Sequence, residues 1–415
     1  MKPIAAAITA GLCLLTSLSP AGENGGAGAA ANPLAGLPGK PGPHVEKIRA
    51  LGDDSWLNLG KPAPDPRWGM GRGRAYSPKM AYAPDLGGAF FCGCGRHGYV
   101  KPDGHFMDDI FFYDASAHRW ICLHPGASKK TKLKLDEHGF EVTLDGVNHP
   151  VSFLSHAYNM VTYNSKLRKY MLIHHYSPWW TRALPQRAEW LGIAAKDRGN
   201  PYRAGKLNRN PKHPVFWNVD ANRWERLFVE DGASPGKDLG VLEYIPEREQ
   251  AFYMAGGRAF FFDFKTGKWI DPGAKLKSKI KYDYVGCYDS KRGRIYVLDD
   301  ANLFAYDLKA NKWDVLQAAP LSFGFSTRGQ INFDSAAGIG IGMAFGGSKD
   351  GGKPGGAYVY DPDENKWRLP RAAMPAIRGA KASFYHAEYN VHYLHVAGDS
   401  GEDGVMLVYR YKRKR

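Results

Sequence analysis

Apolar and polar positions along this chain fall into a short-strand rhythm that returns in nearly the same form. The clearest copy runs from Leu303 to Trp313: an apolar stretch, Tyr306, Asp307, a polar segment and a closing Trp. Tyr113-Asp114 to Trp120, Phe262-Asp263 to Trp269 and Tyr360-Asp361 to Trp367 repeat it, each with six residues between aromatic and Trp. Val219-Asp220 to Trp224 reads as a shortened fifth copy. Apolar or aromatic runs this short, separated by Asp, Asn, Lys and Gly, predict pairs of strands joined by polar turns.

Trp120, Trp224, Trp269, Trp313 and Trp367 stand 104, 45, 44 and 54 residues apart, a period of one four-stranded unit stretched where loops are inserted. A sheet that small cannot bury both faces alone, but sheets stacked radially cover one another's flanks and make a propeller. On these residues, and on the diglycines Gly256-Gly257 and Gly346-Gly347 that close second strands, the sequence resembles the kelch repeat family. The resemblance covers residues 50–410 and implies an all-β, kelch-type β-propeller. It says little about activity, because kelch propellers serve as partner-binding modules and, more rarely, as enzymes.

Two incomplete repeats set the blade number. Asp54 to Pro62, with Trp56, looks like the Trp strand of a unit whose other strands are missing. Ser383–Glu388, Val391–Val396 and Val405–Tyr409 supply three strands with no Trp. Joined, they complete a sixth blade and close the ring, leaving no open sheet edge. Blade 2 is expected to begin at Phe153–His156. Two insertions depart from the repeat. Lys129–Pro150 suggests an extra hairpin around Phe140–Leu144, and Tyr176–Pro214 carries Trp179-Trp180 and a short helix over Pro185–Lys196. Both belong to connections that leave one face, where loops on a rigid scaffold carry recognition.

The amino terminus adds a location. Met1-Lys2 followed by the uncharged run Ile4–Leu18 reads as a secretory signal peptide over residues 1–21, so the chain is expected to be exported, whether periplasmic, surface-held or secreted. Residues 22–50, rich in Gly, Ala and Pro, are expected to form a linker, residues 51–411 the propeller and residues 412–415 a solvated basic tail. No later apolar run is long enough to span a bilayer. Cys92, Cys94, Cys122 and Cys287 are too few for a disulfide scaffold and read as buried thiols, with one bridge left open.

A net charge of +15 on an exported protein favours an anionic polysaccharide or an extracytoplasmic protein as partner, and not nucleic acid; a monomer is expected. Guanidinium groups of Arg72, Arg74, Arg328 and Arg378 facing the central opening would grip carboxylate or sulfate, with Trp179 and Trp180 as a flat platform for sugar rings. His156, Arg258, Asp283, Lys381 and His386 complete this expected upper-face site. Tyr385-His386 also looks like part of the copper site of galactose oxidase, with His156 and Cys92 or Cys94 as the remaining candidates, but no local motif ties them together. No metal or cofactor is assigned. The reading is a binding module; the alternative is a carbohydrate-active enzyme, a copper-dependent oxidase or a sugar isomerase.

Overall fold

The computed structural model describes residues 32–414 except 95–98, 129, 139, 148–155, 174–213, 228–234, 236–239, 278–283, 324–328, 345–351, 376–378 and 399–402. Helix α1 (Pro43–Ala50) and strand β1 (Ser55–Gly60) come first. Blade 1 is β2 (Ala81–Ala83), β3 (Gly88–Cys92), β4 (Ile110–Asp114) and β5 (Arg119–His124). A separate hairpin follows, β6 (Leu133–Leu135) with β7 (Glu141–Thr143). Blade 2 is β8 (Val161–Asn164), β9 (Lys169–Leu172), β10 (Val215–Asn218) and β11 (Arg223–Glu225). Blade 3 comprises β12 (Gly240–Ile245), β13 (Gln250–Ala255), β14 (Arg258–Asp263) and β15 (Trp269–Ile270). Blade 4 comprises β16 (Tyr284–Asp289), β17 (Arg294–Asp299), β18 (Asn302–Asp307) and β19 (Lys312–Val315). Blade 5 comprises β20 (Ile331–Asp334), β21 (Ile339–Ala344), β22 (Gly356–Asp361) and β23 (Lys366–Arg368). Blade 6 is β24 (Ala380–His386), β25 (Val391–Ala397) and β26 (Val405–Arg410), completed by β1.

Each sheet is antiparallel; blades 1 to 5 are ordered by sequence from the first strand outward, and blade 6 runs β24-β25-β26-β1. The first strands meet around an axis: β2 beside β8, then β12, β16, β20 and β24, which returns to β2. The molecule is a six-bladed β-propeller. Ring closure is as the two incomplete repeats implied, with Trp56 opposite Tyr409 and their rings 4.9 Å apart.

The turn after each third strand explains why the repeat has its spelling. Tyr113, Phe262, Tyr306 and Tyr360 lie directly across from Trp120, Trp269, Trp313 and Trp367. The residue after the aromatic folds its side chain back onto the turn: Asp307 Oδ1 accepts from the amides of Lys309 and Ala310, and Asp263 does the same for Lys265 and Thr266. Four places after that Asp the backbone turns left-handed, at His118, Asn311 and Asn365, with φ near +50°. Asn suits that region better than most residues. The fifth copy is not shortened. Its aromatic is Trp217, paired across to Trp224, with Asn218 in the Asp role.

A second regularity lies at the other strand. The penultimate residue of every first strand is aromatic: Tyr82, Tyr163, Tyr244, Tyr288, Phe333 and Tyr385. Three of these rings reach the preceding blade, while Tyr244 packs on Phe264 of its own blade. Tyr82 stacks on Phe384 at 5.8 Å, Tyr163 donates to Asp85 at 3.0 Å and Tyr288 to Glu247 at 2.9 Å. The belt staples neighbouring blades together.

Three expectations change. Blade 2 begins at Val161–Asn164, not at Phe153–His156; His156 precedes the strand, and 153–155 lie outside the described residues. Residues 32–50 are not a linker. Leu34, Val45 and Ile48 are buried in the cores beside blade 1, and His44 Nε2 lies 2.8 Å from the carbonyl of Ala115. Nor is the carboxy-terminal tail merely solvated: Arg413 donates to the carbonyls of Leu51 and Ala50, where α1 ends and its dipole favours cations, and Lys414 donates to the carbonyl of Ala387. The helix expected over Pro185–Lys196 lies outside the described residues. The expected extra hairpin is present as β6–β7.

Candidate functional site

First strands run from an upper face, which carries the second-to-third turns and the links between blades, to a lower face with the first-to-second turns. One insertion follows β5 at the upper face; the other, between β9 and β10, lies outside the described residues over 174–213. The β6–β7 hairpin is a built element. Leu133, Phe140 and Val142 are buried, Asp136 caps its turn through the amides of His138 and Phe140, and the Arg226 guanidinium lies 4.0 Å over the Phe140 ring. A bridge between His105 and Ser128 ties its base to the blade 1 loop. Lys130, Lys132 and Lys134 are exposed on it.

Of the residues expected to bind ligand, Arg74 and His156 are brought together, though not as a ligand grip. Arg74 is 1% exposed; its guanidinium donates to the carbonyl of Gly93 at 2.5 Å and pairs with Asp109 at 2.5 Å, which also holds Lys101 at 2.8 Å. Burial would push the Asp109 carboxyl up, but the Arg74 and Lys101 charges outweigh it and hold the group below its ordinary range. His156 Nδ1 sits 2.9 Å from the Cys94 carbonyl, beside the Tyr76 ring. Arg74 is therefore a correction: its charge is consumed inside the protein. Arg72 is half-buried on the segment leading into blade 1. Arg258 opens β14 after Gly256-Gly257, whose positive φ values of 57° and 79° make the tight hairpin turn that diglycine permits, and it pairs with Asp271 of its own blade. Lys381 lies near the upper end of β24. Trp179, Trp180, Asp283, Arg328 and Arg378 lie outside the described residues.

His386 is the second correction. Expected on the upper face, it ends β24 and so belongs to the lower face, buried and stacked on Tyr389 at 4.1 Å. Burial lowers its pKa to about 4. His156 and Cys94 meet at the upper face, and the Cys92 thiol contacts the Tyr170 hydroxyl. The residues considered for copper are thus divided between the two ends of the ring. Cys92, Cys94, Cys122 and Cys287 are buried free thiols.

Sequence reasoning missed the axis itself. A cavity of about 320 Å³ opens there among the first-to-second turns, with Pro84, Ser165, Pro246, Ser290 and Ser335 at its rim. Its upper limit is polar. Asn159 of blade 2 donates across the ring to Gln330 of blade 5 at 2.6 Å, and Gln330 in turn donates to the Gly286 carbonyl at 2.9 Å. Lys79, entering blade 1, reaches blade 3, where its ammonium meets the Leu242 carbonyl at 2.5 Å and the Glu243 carboxylate at 2.6 Å. Burial raises the Glu243 pKa despite the nearby Lys79. The signal was present: Glu243 is a lone charge inside the otherwise uncharged strand β12.

No protein-family model matches the chain, and no curated protein is significantly similar to it.

Proposed function

We propose that this propeller is a binding module of kelch type, exported from the cell, that holds an anionic glycan or an extracytoplasmic protein partner on its upper face. The observation that carries the reading is the β6–β7 hairpin: an ordered addition to the repeat, anchored by buried apolar side chains, that presents three lysines to solvent. A loop with no task has no need of its own packed turn and core. The net charge of +15 points the same way. Kelch type is supported by the aromatic and Trp pairs at constant spacing.

Binding to an array of sulfated and uronic-acid glycans, read at low and at physiological ionic strength, tests this. The wild-type chain is expected to bind an acidic glycan more weakly as salt rises. The triple variant Lys130→Glu, Lys132→Glu, Lys134→Glu should lose about tenfold or more, about 1.4 kcal/mol. Salt-independent binding, or equal binding by the triple variant, would remove the hairpin from the reading.

A further inference from the structure

We propose that the lower mouth of the axial channel is a second binding site, separate from the upper face, for one neutral polyhydroxylated ring: a monosaccharide or a cyclitol.

The space is a cup and not a pore. The Asn159–Gln330 bridge spans opposite blades, and the Lys79–Glu243 pair crosses from blade 1 to blade 3 beside it. From Gln330 down to Ser335 is five residues of strand, about 16 Å. A cavity of about 320 Å³ lies at the small end of ligand sites, which span about 300–1,000 Å³, so it suits one ring and not a polymer.

Charge selects against ions. The cup holds one ammonium and one carboxylate, each nearly buried and bound to the other. A charged ligand would have to compete with that pair and leave one partner buried and uncompensated, a costly outcome. A hydroxyl group instead accepts from the ammonium and donates to the carboxylate without separating them. The walls continue the same chemistry. Asn332 commits its amide nitrogen to Ser383 Oγ at 2.8 Å, leaving its oxygen to accept, and the Thr162 oxygen accepts from the Tyr244 amide, leaving its proton to donate. The half-buried rings of Tyr82 and Tyr244, which line the cup, supply apolar surface for the carbon face of a ring. The interblade aromatic belt fixes these walls in place, so little ordering accompanies binding.

Calorimetric titration of the full chain with D-glucose, D-galactose, N-acetyl-D-glucosamine, myo-inositol and D-glucuronate tests the site. At least one neutral probe should bind saturably, with little dependence on salt. Ser290→Trp and Ser335→Trp, at exposed rim positions, should weaken that binding at least tenfold while leaving the melting temperature near the wild-type value. Lys79→Met combined with Glu243→Gln should weaken it too. The hairpin charge reversal should leave it unchanged, which separates this site from the upper-face reading. Binding by none of the neutral probes, undiminished binding in both rim variants, or tighter binding of glucuronate than of every neutral probe would each overturn the proposal.

Discussion

Arg74 and Asp109 illustrate how one side chain reads differently in sequence and in place. An arginine two residues from another, ahead of a first strand, has the spelling of an anion site, and nothing local reveals that Asp109, thirty-five positions on, lies against it. With the pair buried, Asp109→Asn leaves the Arg74 guanidinium without its counter-charge and Lys101 with only the more distant, exposed Asp103. A loss of about 3–5 kcal/mol in urea unfolding is expected, with no salt-dependent component. The buried histidines set the acid limit. Burial, with the Arg74 charge adding to it, takes His395 down to about 3, and burial takes His386 to about 4, against about 6.5 in an unfolded chain. Below pH 6.5 the unfolded chain therefore binds protons that the native protein refuses. Stability is full above pH 6.5 and falls between there and pH 4, by about 1.4 kcal/mol per pH unit for each histidine. Urea midpoints measured from pH 7.5 to pH 4.5 should show the decline, and His386→Phe should reduce its slope; a flat profile would show that these groups titrate normally.

At the level of the element, the third-to-fourth turn was the most legible part of the chain because its requirements are local. An Asp to bind two amides, an Asn or His to turn left-handed and a Trp to meet the aromatic are all fixed within seven residues. Asp307→Ala should therefore cost about 1–2 kcal/mol in chemical denaturation, and Asp307→Asn, which keeps the accepting oxygen, much less. Blade 2 was harder to place, since Trp217 takes the aromatic position in a sheet whose loops are longest, and a strand was expected where only His156 now stands described. The belt of Tyr82, Tyr163, Tyr244, Tyr288, Phe333 and Tyr385 went unread for a related reason. Single aromatics spaced by whole blades give no local signal, and their meaning appears only when first strands meet around the axis. The amino-terminal segment was misjudged from composition: its Gly and Pro content suggested a linker, whereas Leu34, Val45 and Ile48 are enough to seat it against blade 1.

Across the whole molecule, the two proposed sites lie at opposite ends of one ring. The basic hairpin stands at the upper face, and the neutral cup opens at the lower one. The blade count and the closure were readable because half-repeats at the two ends complement each other, while the axial network was not, because Lys79, Asn159, Glu243 and Gln330 come from four different blades and only Glu243 stands out within its own strand. Both proposed sites depend on the ring being shut by β1 against β26, with Ser55 through Asn58 registered on Arg410 through Leu407. Hydrogen exchange followed by mass spectrometry reads that closure directly. The hydrogen-bonded amides of residues 55–60 should exchange as slowly as those of residues 405–410, both only through global opening. Rapid exchange over 55–60 beside a protected 405–410 would mean that the ring is not closed in this way.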